Sequence, residues 1–223
     1  MNKILPAALV SFALAACGDN KPENGEIEDA LNGYFERART CLPLVVNVQN
    51  PLVNGYLTQV PLGAPVMKIV GKTPEGKDIN QAALRQMDYL SDEGFYKKAV
   101  TTEPLWKGSK KTHEVATYTL TEDGGKQTQI IARTPNFCVG RQQVTKIHWF
   151  TDPVTSNKQS VLRVTFDTKF VPEKWLEGLL KEGGLDKLPI KETHAKLNTG
   201  MVKTDDGWKD AREVRNQPKE EGQ

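Results

Sequence analysis

The chain has 223 residues, with 30 Lys and Arg against 28 Asp and Glu and a formal charge of +2. That balance excludes the strongly basic footprint of a nucleic-acid binder. A hydrophobic share of 38% with four tryptophans excludes a disordered chain, and the length suits one large domain or two small ones sharing a core.

Met1-Asn2-Lys3 is a cationic start, the run from Ile4 to Ala13 is apolar, and Leu14-Ala15-Ala16-Cys17 closes it. The order of positive, apolar and small residues is that of a secretory signal, and the run is too short to span a membrane. With Cys17 as its last residue the segment resembles the lipobox of bacterial lipoproteins. The resemblance implies cleavage before Cys17, acylation of its sulfur and amine, and a mature protein held on a membrane by lipid. An ordinary secretory signal with an incidental cysteine, or an uncleaved amphipathic helix, is the alternative. Gly18 rather than Asp follows the cysteine, which in this family favours the outer membrane, on its periplasmic face. Each buried CH₂ contributes about 0.8 kcal/mol, so one acyl chain holds marginally and the family's three hold durably. Residues 1–16 are therefore read as a signal peptide and residues 17–25, polar and carrying Gly18, Pro22 and Gly25, as a lipid-anchored tether expected to stay unfolded.

With Cys17 taken by lipid, Cys41 and Cys138 remain, an even number in an oxidising compartment, and a disulfide between them is expected. Two reduced, buried cysteines packed as small hydrophobes are the alternative.

From Glu26 to Leu42 the spacing of Ile27, Leu31, Tyr34, Phe35 and Ala38 predicts a helix ended by Pro43. Leu44 to Val70, broken by prolines and glycines, predicts short extended segments. Asp78 is the expected cap of a helix over Asn80 to Ser91, with Ala83, Leu84, Met87 and Leu90 on its inner stripe. After it come Glu93-Gly94-Phe95, a Lys-rich stretch, and Tyr118-Thr119-Leu120-Thr121-Glu122-Asp123-Gly124. This rhythm over about 45 residues resembles the second half of a winged-helix module; any helix followed by a hairpin is the alternative. Gly94 would let the helix stop in a left-handed turn.

From Gln142 the chain reads as β-rich. Val144, Lys146, His148 and Phe150 alternate with Thr145, Ile147 and Trp149, residues 152–157 turn, and Val161 to Phe170 alternates again. Pro172 opens a helix from Val171 to Glu182 that Gly183-Gly184 ends. Strands from His194 to Lys203 and Trp208 to Glu213 would join at Asp206-Gly207, and the charged tail 216–223 is expected to be disordered. The expected fold class is α+β: a helix plus a winged-helix-like part over 26–140, then a β-β-α-β-β part with an antiparallel sheet over 141–215, its helix packed on one sheet face.

The chain carries no Gly-x-Ser-x-Gly, His-Glu-x-x-His, Ser-x-x-Lys, phosphate-loop or dinucleotide motif. His113, His148 and His194 lie far apart, so neither a metal nor a cofactor is expected. A pair between His148 and a carboxylate such as Asp167 is one candidate base; a polar residue on the outer face of a sheet is the other reading. Trp149 and Trp175 are expected to pack on each other's elements. Trp106, between Pro104 and Gly108 and beside Lys107, Lys110 and Lys111, is the candidate anchor for a partner. The expectation is an outer-membrane-anchored periplasmic lipoprotein that binds a protein partner without catalysis, as an envelope assembly factor or a toxin-immunity protein, with no nucleic acid bound. The alternative is an envelope hydrolase with dispersed catalytic residues acting on peptidoglycan or lipid.

Overall fold

The computed structural model describes residues 21–53, 56–156, 158–183 and 195–216. The signal segment, Cys17, His194 and the tail beyond residue 216 lie outside the described residues. Among the described residues no helix is long and apolar enough to cross a membrane.

The first described element is α1 (Asn24–Arg37), so the last residues of the expected tether are already helical. The backbone N–H of Glu23 donates to the Glu26 carboxylate, and Ile27, Leu31 and Phe35 form the buried stripe. The helix stops well before Pro43 because residues 40–42 are claimed by a strand, β1 (Thr40–Leu42). Two short hairpin strands follow, β2 (Val45–Gln49) and β3 (Leu57–Pro61), and then β4 (Val66–Val70). The second helix is α2 (Gln81–Asp92). Beyond it lie β5 (Tyr96–Pro104), β6 (Thr112–Leu120), the single-turn α3 (Glu122–Lys126) and β7 (Thr128–Ile131). The last stretch comprises β8 (Thr134–Phe150), β9 (Val154–Ser156), β10 (Gln159–Pro172), α4 (Lys174–Glu182), β11 (Ala195–Thr204), β12 (Gly207–Asp210) and α5 (Ala211–Asn216).

These elements make a mostly β protein whose largest sheet is a curled antiparallel half-barrel in the order β1-β8-β10-β11-β12, with β7 on β8 and β9 on β10. This overturns the expected helix-led α+β fold. The curled sheet closes over α1, which buries Ile27, Leu31 and Phe35 against Val144, Val164, Phe166 and Met201. Each such side chain contributes roughly 1.5–3 kcal/mol by leaving water.

The winged-helix expectation fails for a topological reason. β6 is the centre of a separate three-stranded sheet, β4-β6-β5, and its partner β4 comes from before α2. α2 therefore packs under a sheet, burying Ala83, Met87 and Leu90 with Met67, Ile69 and Tyr118. The stretch from Thr121 is not a wing strand but the start of α3, where the Thr121 hydroxyl accepts from the Gly124 N–H at 3.0 Å. The Gly94 turn does form: at φ 83°, Gly94 places Phe95 so that its N–H reaches the Leu90 carbonyl at 2.9 Å.

The α4 helix meets the long hairpin only at its base, where Trp175, Leu176 and Leu179 share a core with Phe137 and Val139 of β8 and Phe170 of β10. It packs beside α2, where a Cβ on Gly178 would collide with the Tyr89 ring, and it inserts Trp175 between Phe95 and Phe137 at centroid distances of 5.5 and 5.3 Å. Trp149, expected to pack near it, is instead 54% exposed. Two bulges in β8 explain this. Against β10, Trp149 pairs with Thr165 and Ile147 with Phe166, then Lys146 pairs with Asp167 and Val144 with Thr168, so His148 and Thr145 are extra residues. Each insertion flips the pleat, and the inward set becomes Val144, Ile147 and Phe150. Asn32 of α1 accepts the Val144 N–H at 2.9 Å beside the lower bulge. The last expected strand also ends early: β12 stops at Asp210 and residues 211–216 form α5.

Candidate partner-binding cleft

Three loops meet at one end of the three-stranded sheet. The β5–β6 loop is drawn tight by its own backbone: Leu105 N–H donates to the Lys111 carbonyl at 3.0 Å and Ser109 N–H to the Trp106 carbonyl at 2.9 Å. Ser109 Oγ accepts from Lys111 N–H and donates to its carbonyl, both at 3.0 Å. Leu105 is buried as the root of the loop, and the turn lifts Trp106 outward, leaving it 56% exposed. Opposite it, a turn is closed by Thr73 N–H on the Lys77 carbonyl at 2.8 Å. The third wall is the end of the β2–β3 hairpin, where Leu52 N–H donates to Asn50 Oδ1 at 2.8 Å.

Asn80 holds these walls in register. It, rather than Asp78, stands at the N-cap position of α2, in a left-handed conformation at φ 60° and with no side-chain bond to the helix, while Asp78 forms a β-bridge with Lys72. Asn80 Oδ1 accepts from Gln49 N–H at 2.6 Å, while Nδ2 donates to the carbonyls of Gln49 and Val70, each at 2.9 Å. One amide thus ties the ends of β2 and β4 to the start of α2. The sequence carries a faint signal for it, since Asn tolerates the left-handed region better than other non-glycine residues and stands directly before the apolar stripe.

The space between the loops measures about 660 Å³, and Leu52, Pro74, Leu105, Trp106, Lys77 and Lys111 are among its lining residues. Of the residues singled out from sequence, Trp106 and Lys111 line it, whereas Lys107 and Lys110 are exposed on the same loop without lining it. Among the described residues, no carboxylate pairs with Lys77, Lys107, Lys110 or Lys111.

His148 and Asp167 do meet, Nε2 to Oδ2 at 2.8 Å, on the half-barrel's outer face. Among the described residues no hydroxyl or thiol is hydrogen-bonded to this imidazole, so the geometry shows an oriented histidine without a nucleophile in place. No group of three or more His, Cys, Asp or Glu side chains with metal-binding geometry occurs among the described residues. Cys41 and Cys138 are disulfide-bonded and stand opposite each other across β1 and β8, closing a separation of 97 residues.

Elsewhere the titration behaviour reflects packing. Burial, then a hydrogen bond at 2.6 Å to Asp88, pushes the Tyr118 phenol far above its usual value. Burial alone raises Tyr96, whose hydroxyl accepts from Gly63 N–H at 2.8 Å.

Set against protein families, curated proteins and solved structures, the chain matches no family model, no curated protein and no known structure.

Proposed function

We propose that this chain is an outer-membrane-anchored periplasmic lipoprotein that serves as a non-catalytic protein-binding module, in the role of an envelope assembly factor or a toxin-immunity protein. The observation that carries the reading is Trp106, a large side chain 56% exposed at the rim of a three-loop cleft. Ordering a tryptophan at the surface without burying it leaves apolar area that a partner can cover, and such aromatics dominate protein interfaces. The Cys41–Cys138 bond fits an oxidising compartment, and the lipobox-like segment ending at Cys17 supplies the address and the tether.

Affinity purification of the full chain from cross-linked envelopes tests the binding role. It should recover one stoichiometric partner, and Trp106→Ala should lose it. Failure to recover any partner, together with turnover of peptidoglycan or an ester substrate, would move the assignment to a hydrolase. The address is tested separately: labelled fatty acid should enter the chain at Cys17, and Cys17→Ser should release the protein from the membrane fraction.

A further inference from the structure

We infer that the Trp106 cleft takes an acidic segment of the partner, one that places an apolar side chain on the tryptophan while its carboxylates face the surrounding lysines. The inference rests on the binding role proposed above and specifies its partner.

The charges around the cleft are one-sided. Lys77 and Lys111 line it, Lys107 and Lys110 stand on the loop that carries Trp106, and Glu75 is the single acid among the lining residues. None of the four lysines is neutralised by an ion pair among the described residues, in contrast to Lys68 and Lys98 on the same sheet, which are paired with Glu103 and Asp88. A cluster of like charges held unpaired around an exposed aromatic attracts an anionic ligand from a distance and repels a basic one. The floor selects the rest of the ligand. Leu52, Pro74 and Trp106 offer apolar surface, which favours a segment that alternates acid with an aliphatic or aromatic residue over a uniformly charged chain. A volume of about 660 Å³ accommodates a few side chains rather than a folded domain, so the contact is a protruding loop or an extended stretch.

The test uses the full chain in its own envelope with Trp106 replaced by the photo-cross-linker p-benzoylphenylalanine, and in a parallel strain Ile130, which is 69% exposed, replaced in the same way. Irradiation should give a protein adduct from position 106, and mass spectrometry should place the cross-link in a segment rich in Asp and Glu with an apolar residue among them. Adding Lys110→Glu and Lys111→Glu should cut that yield at least ten-fold, as should raised salt, while the thermal unfolding of the variant stays that of the parent. A neutral or basic cross-linked segment overturns the inference. So does an adduct to lipid, to glycan or to a second copy of this chain, or a yield indifferent to charge reversal. A partner cross-linked from position 130 and not from 106 sinks the acidic-segment inference but leaves the binding role standing. No protein adduct from either position sinks both.

Discussion

Arg212 grips Asp210 with two parallel hydrogen bonds, Nε to Oδ1 at 2.9 Å and Nη2 to Oδ2 at 2.7 Å, although the two residues are only two positions apart at the junction of β12 and α5. The carboxylate is fully buried, and the guanidinium lies over the Tyr34 ring at 4.2 Å. The pair therefore connects the C-terminal helix, the edge of the half-barrel and α1. Arg212→Ala leaves the buried carboxylate with only the backbone N–H of residue 212 and the Thr199 hydroxyl, and should destabilise the protein by about 1.5–3 kcal/mol. Asp210→Asn added to it should restore part of that loss, a coupling that urea unfolding of the two single variants and the double variant measures.

The disulfide closes 97 residues and clamps β1 to β8. A loop of that size restricts the unfolded chain by up to about 4.7 kcal/mol in the entropy model. Replacing both cysteines by serine should lower the unfolding midpoint markedly. Reductant should lower the parent to the same value and leave the double variant unchanged; a parent indifferent to reductant would contradict the role given to the bond.

Three tyrosines are held protonated. Burial pushes Tyr89 up to about 12 from the ordinary 10.0, with Glu93 adding to the effect, and Tyr96 and Tyr118 are raised for the reasons given above. Because the folded state keeps these phenols neutral, their stabilising share is complete below pH 10 and is lost as the pH climbs through the raised values. Alkaline titration followed by phenolate absorbance should show three of the five tyrosines ionising above the ordinary phenol range. Tyr118→Phe should remove one of them and lessen the alkaline loss of stability.

The β7–β8 turn is built from Ala132 and Arg133 at φ 49° and 67°, where glycine or asparagine is usual. A left-handed residue with a side chain costs about 1–2 kcal/mol. Arg133→Gly should raise stability by about 1 kcal/mol in denaturant titration, the entropy of the added glycine taking back some of the relief.

Local chemistry was well written in the chain. The stripe of α1 and the Gly94 turn follow from side-chain spacing and from glycine's freedom, both of which act within a few residues. Pairing was not. β1 finds β8 across 97 residues, and β4 reaches over α2 to β6; no local pattern encodes either choice. The alternation around His148 misled for a subtler reason, since strict period-two reading assumes one residue per pleat and β8 twice spends two. For the cleft, the exposed tryptophan and its lysines were visible as a loop. The facing walls, and the Asn80 amide that sets them, depend on segments brought together only by folding.

With 17 residues, β8 is long enough to serve two cores. Phe137 and Val139 belong to the core under the small sheet, while Val144, a few residues along the same strand, belongs to the core around α1. The strand thus works as a party wall: cutting the polypeptide near Gly140 would leave both rooms open to water. The minimal working unit is therefore the whole body rather than either half, and heating it should give a single calorimetric peak.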